Sequence, residues 1–251
     1  MTGGTWVTLL ESARLQARLT RRYPMLYALN IIQPVALLAI VMRTAQPDPV
    51  RNGDLLLSVL LTSFWGSTIW AAGGILRRDQ YYGTLARTVV NARNGAVVVI
   101  GRCLGAIGTS LVTLAVLGFV AAFALRRPVA LPGVLILVVG FAGLAVSGTA
   151  LGLLIACAFL RTRYGTEITS ALMYPVFIFG GLLIPAQLVP GWLHWLAWPV
   201  SLSWARRFML DADPIAAAIF VLVTVAYAAA GLVFFRRSLA EARGKGTLDL
   251  V

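Results

Sequence analysis

Apolar positions along this chain fall into long, nearly unbroken runs instead of the alternating or heptad patterns of soluble elements. Six runs are long enough to cross a bilayer, at 24–43, 55–76, 96–125, 133–160, 168–188 and 214–235. A helix needs about 20 apolar residues to cover roughly 30 Å of hydrocarbon, and in lipid its backbone polar groups must be satisfied within the segment itself. The pattern predicts an all-α integral membrane protein, a single domain over 1–251 with six transmembrane helices. The acidic residues Glu11, Asp48, Asp54, Asp79, Glu167, Asp211, Asp213, Glu241 and Asp249 all fall between or beside the runs. Proton- and ion-coupled carriers normally keep such a charge inside the membrane. If this chain moves something uphill, the energy is expected from outside it.

The intervening segments are informative too. Residues 1–23 predict an amphipathic helix lying on the membrane, with Trp6, Leu9, Leu10, Ala13 and Ala17 on one face and Arg14, Arg18, Arg21 and Arg22 beside it. It fits either an interfacial anchor or a contact for a partner. Pro24 ends it. The most polar link is 77–95, between the second and third runs; it reads as a short surface helix with Leu85, Val89 and Val90 as an apolar edge open to a partner, or as a solvated loop. The fifth run is interrupted by Gly180, Gly181 and Pro185, and the uncharged segment 186–200 carries Trp192, Trp195 and Trp198. An aromatic belt accounts for the tryptophans; outer re-entrant short helices between the fifth and sixth spans account for the prolines as well. Gly101/Gly105 and Gly148/Gly152 are spaced for close helix approach, within the fold or at a dimer seam.

With 21 basic and 9 acidic residues the formal charge is +12, yet the basic residues form no separate surface for nucleic acid. Fifteen fall in the segments that are inner if the N-terminus is inside, against six (Arg43, Arg51, Arg126, Arg127, Arg206, Arg207) in the outer ones. This bias places both termini in the cytoplasm. No cleaved signal pattern is visible, and twenty Arg against one Lys hints at a GC-rich bacterial genome. Cys103 and Cys157 read as small packing residues. His194 is the sole histidine, which excludes a multi-histidine metal site. Ser147-Gly148 lacks the preceding glycine of an intramembrane serine protease motif, since Ala145 stands there. Gly244-Lys245-Gly246-Thr247 lacks the first glycine of a phosphate loop, Leu239 standing in its place. No catalytic constellation and no cofactor site are expected in this chain.

Two motifs carry a resemblance. One is Asp79 followed by Gly83-Thr84-Leu85 and then Gly101-Arg102, with Ala86 and Ala92 departing from it. The other is Pro175, Gly180, Gly181 and Pro185 followed by Leu188-Val189-Pro190-Gly191-Trp192-Leu193. In both, and in the order of its segments, the chain resembles the six-span permease subunits of type-2 ABC exporters. The resemblance implies cytoplasmic ATP-binding subunits, which hold ATP and Mg, and a second permease, identical or homologous. It makes 77–95 a coupling helix resting on the ATPase through Arg77, Arg78, Asp79, Gly83, Thr84, Leu85 and Arg87, with a smaller contact through Arg161, Arg163 and Glu167. Expected lining of a substrate pathway is Phe64, Trp65, Trp70, Tyr174, Phe177 and Phe179. The expected function is export of a hydrophobic drug or natural product from the membrane of a bacterial cell; alternatives are export of a lipid-linked glycan or lipid, and a channel-like or scaffolding protein.

Overall fold

The computed structural model describes residues 3–22, 31–40, 48–85, 95–124, 129–160, 162, 165–179 and 191–245. Among these, every regular element is helical: α1 (Gly3–Arg22), α2 (Ile31–Ile40), α3 (Pro49–Ser67), a π-helical stretch (Thr68–Gly73), α4 (Ile75–Tyr81), α5 (Gly95–Ala124), α6 (Val134–Leu160), α7 (Gly165–Phe179), a 3₁₀ helix (Gly191–Ala197), α8 (Ser201–Asp211) and α9 (Pro214–Lys245). Four stretches are long and apolar enough to cross a membrane: Pro49–Tyr81, Gly95–Phe123, Val134–Phe159 and Pro214–Ser238. They match the second, third, fourth and sixth predicted runs, and make this a multi-pass membrane protein. The first run is represented by α2 and the fifth by α7. The predicted break at Gly180, Gly181 and Pro185 lies outside the described residues, as do 86–94, with Arg87, and the residues Arg161 and Arg163.

The column α3–π–α4 is the centre of the molecule. Some 89% of its most apolar window is buried, against 22% for α9, because α5, α6, α7 and α8 all pack on it. Asp48 starts the column: its carboxylate accepts from the Val50 and Arg51 amides at 2.9 and 3.4 Å, and Pro49 takes the first turn, where a missing N–H costs nothing. The buried hydroxyls of Thr62, Ser63, Ser67 and Thr68 each donate to the carbonyl four residues back, at 2.7 to 3.1 Å. That is how polar side chains are tolerated in an apolar interior.

Both glycine pairs serve packing within the fold. A Cβ on Gly101 or Gly105 would strike the carbonyls of Leu9 and Ala13, so α1 lies directly on the backbone of α5. A Cβ on Gly148 or Gly152 would strike Phe64 and Ala72, so α6 lies as closely on the central column. The orientation of α1 reveals a polar stripe that its sequence pattern does not single out. Ser12, Gln16 and Thr20 are the buried stripe, while Trp6, Val7, Leu10 and Leu15 point outward. A helix beside lipid has no reason to hide apolar groups, whereas its polar ones gain partners only against protein. A second departure is α8. Its inward face is Ser201, Leu202, Ala205 and Met209, a helical spacing that follows directly on the tryptophan-rich segment.

Candidate coupling site

The central column ends in a tightly closed cap. Gly83 adopts φ 64°, which only glycine reaches without strain. The Gly83 amide donates to the Gln80 carbonyl at 3.0 Å and the Thr84 amide to the Asp79 carbonyl at 2.9 Å. These two bonds are the Schellman arrangement, which satisfies carbonyls that a helix end would leave open. The Thr84 hydroxyl adds a third bond to the Asp79 carbonyl at 3.3 Å. The four residues Tyr81 to Thr84 are exposed, and the rings of Tyr81 and Tyr82 meet edge to face with centroids 5.3 Å apart. They form a stiff, aromatic tip.

Beneath the tip the charges are paired. Arg102 of α5 grips Asp79 with both terminal nitrogens, Nη2 to Oδ1 at 3.0 Å and Nη1 to Oδ2, and its Nε donates to Oε1 of Gln16 at 3.0 Å. Asp79 and Arg102 are each more than nine-tenths buried. A solvated link would leave Asp79 exposed; instead it is buried and anchors the tip. Neighbouring arginines tie α4 to the bundle. Nη1 of Arg77 donates to the carbonyls of Phe159 and Thr162 at 3.4 and 2.7 Å, closing the C-terminal end of α6. Arg78 donates to the Trp70 and Ala71 carbonyls, at 3.4 and 2.6 Å. Those carbonyls belong to the π-helical stretch, whose wider turn shifts the ordinary ladder and leaves acceptors for a side chain to fill.

Of the residues expected at the ATPase contact, the structure brings Arg77, Arg78, Asp79, Gly83 and Thr84 into one cap. Leu85 is a correction: it packs into the core at 7% exposure and is not an open apolar edge, because the reversal at Gly83 turns the chain back onto the bundle. Glu167, in the first turn of α7, is exposed. The expected pathway residues do not share one environment. Phe64, Trp65 and Phe177 are buried in the core, with Phe64 wedged against Gly148, while Trp70 and Tyr174 face outward. Phe179 is the last residue of α7. A cavity of only about 10 Å³ beside Phe64 is lined by apolar side chains, including Leu57, Leu61, Leu111 and Leu144.

The partners Arg102 and Gln16 were missed as site residues. A signal existed, since Arg102 is the one charge well inside a predicted run, and a charge at such a position demands a partner. The opposite end of the column has its own pair: Arg206 of α8 reaches Asp54 and, at 3.0 Å, the hydroxyl of Ser58.

No metal-binding cluster of His, Cys, Asp or Glu occurs among the described residues. No curated protein and no solved structure matches the chain. Residues 11–213, most of its length, match the family described as ABC-2 type transporter. That match covers the second part of α1, the central column, the capped tip and every helix up to the start of α9, so the chain belongs to the ABC-2 type transporter family, as a membrane permease component that is not itself catalytic.

Proposed function

We propose that this chain is the permease of an ATP-driven exporter that moves a hydrophobic drug or natural product out of the cytoplasm or inner leaflet of a bacterial cell. A separate ATPase subunit supplies the energy, and a second permease, identical or homologous, completes the transmembrane part. The observation that carries the reading is the tip: exposed aromatic residues held by three backbone-directed bonds and anchored through Asp79 to the buried centre. A loop that served only to connect two spans needs no such stiffness. A surface that receives a push from a partner does. Tyr81 and Tyr82 are the docking contacts, and the charge bias puts them on the cytoplasmic side together with both termini. The buried hydroxyls of Thr62, Ser63, Ser67 and Thr68 are turned to their own backbone, which favours an apolar interior suited to an apolar or amphipathic cargo.

The experiment is co-purification with the ATPase subunit and transport by inverted vesicles. Alone, the chain hydrolyses no ATP; with the subunit, ATP drives accumulation of a lipophilic bis-benzimide dye. Replacing both Tyr81 and Tyr82 by Ala leaves stability within about 0.5 kcal/mol, as for exposed positions generally, but weakens subunit association and abolishes dye uptake. Undiminished uptake in that variant would remove the tip from the mechanism, and hydrolysis by the lone chain would overturn the division of labour.

A further inference from the structure

A buried ion pair is weak evidence of stability, because apolar residues of similar volume hold a core as well or better. Its value is geometric, and a guanidinium gripping a carboxylate with two parallel bonds fixes both groups in one relative orientation. Here the grip sits where three elements meet. Asp79 belongs to α4 and holds the tip with its own carbonyl; Arg102 belongs to α5; Gln16 belongs to α1. Arg102 also lies within the turn of α5 whose glycines, Gly101 and Gly105, bear on the backbone of α1. Through this turn α1 has direct backbone contact and a directional bond at the same place. Gln16 is itself braced, since its Nε2 donates to the hydroxyl of Thr20 at 3.4 Å. Its Oε1 is thereby left turned toward Arg102.

We propose that Asp79, Arg102 and Gln16 form the joint that carries displacement of the tip into the N-terminal helix, with Arg102 as its positioning residue. The inference rests on the exporter reading above and extends it: α1 is a moving part of the machine and not only an anchor on the membrane. A push on Tyr81 to Thr84 moves Asp79, because the cap is closed on its carbonyl; the bidentate grip turns Arg102 with it; and Nε draws Gln16, and α1, along. The π-helical stretch above α4, with Gly73 and Gly74 at its end, is where the column yields, while Arg78 keeps its freed carbonyls satisfied.

The test uses the whole complex with its ATPase subunit in lipid nanodiscs. Spin labels are placed at Glu11→Cys on α1 and Leu222→Cys on α9, both exposed, while Cys103 and Cys157 are buried. The distance between the labels is compared without nucleotide and with ATP plus vanadate. In the otherwise unaltered complex the distance changes. In Gln16→Ala, which leaves the Asp79–Arg102 grip and the tip in place, most of that change is lost while subunit association and ATP hydrolysis persist; in Arg102→Lys, which keeps the charge but loses the fork, the change is lost as well. A merely structural role would lower hydrolysis and stability together and would not separate them from the motion. An α1 that does not move in the unaltered complex, or that moves as far in both variants, overturns the joint. A chain that captures no ATPase subunit overturns the exporter reading, and the joint with it.

Discussion

The central column carries an ion pair at each end, and the two differ in every respect except their chemistry. Asp79 and Arg102 have side chains 9% and 10% exposed, share two bonds and recruit a third element; Asp54 and Arg206 have side chains 35% and 21% exposed and add only the hydroxyl of Ser58. Twenty-five residues of helix separate the two acids, about 37 Å at 1.5 Å per residue, more than the roughly 30 Å of hydrocarbon. That spacing is enough for both pairs to stand at the borders of an apolar layer of this thickness, where charge is tolerated. The difference lies in what each end does. At one end α4 must be held to two neighbours beneath a stiff tip; at the other, α8 rests against the start of α3, where Asp48 already caps the helix.

The largest effect expected from this contrast is at the buried end. Asp79→Ala or Arg102→Ala strands one charge in a site sealed from water, and breaking such a pair costs about 3–5 kcal/mol. Thermal unfolding of the detergent-solubilised protein checks this. An Asp79 exposed on a solvated link would give about 0–1 kcal/mol, so the measurement decides between a surface charge and an anchor. Loss of expression in both variants, with Arg102→Lys still folded, agrees with the anchor.

Next in size is the seam between α1 and α5. Gly105→Leu drives a side chain into the Ala13 carbonyl, where backbone has to move, and overpacking of this kind costs about 1–3 kcal/mol. Protease sensitivity of the first twenty-two residues reports it. Cleavage unchanged by Gly105→Leu would mean that α1 is held by the Gln16–Arg102 bond alone and that the glycine seam is incidental.

Much of this architecture was open to reading along the chain, and the rest was hidden for identifiable reasons. Spans are legible because a membrane sets their length, and the close approach of α1 to α5 and of α6 to the column is written in glycine spacing. The buried stripe of α1 was not, because Ser12, Gln16 and Thr20 carry no charge to mark them beside the arginines, and only a protein neighbour gives them partners. The π-helical stretch Thr68–Gly73 was invisible, since an all-apolar run looks the same at any helical period. The ion pairs join residues 23 and 152 positions apart; no periodicity relates them, only the packing of helices. Gly83-Thr84 was recognised as a motif, but its physical content, a left-handed residue closing the helix on the Asp79 carbonyl, needed the backbone. That closure is also what turned Leu85 inward against expectation.

The smallest expected effect sharpens the comparison most. At the more exposed end, water and salt compete with Arg206 for Asp54, and pairs of this exposure contribute about 0–1 kcal/mol. A double-mutant cycle with Asp54→Asn and Arg206→Gln isolates that contribution from the separate bond to Ser58, which only the arginine variant loses. Raising salt from low to physiological strength, where charges more than about 8 Å apart are screened, weakens whatever coupling is present at this end and leaves the buried pair nearly unchanged. The expected outcome is a coupling of at most about 1 kcal/mol that salt erodes. A salt-insensitive coupling of several kcal/mol would instead make the Asp54–Arg206 contact a second anchor of the column, and burial would no longer explain why the two ends differ.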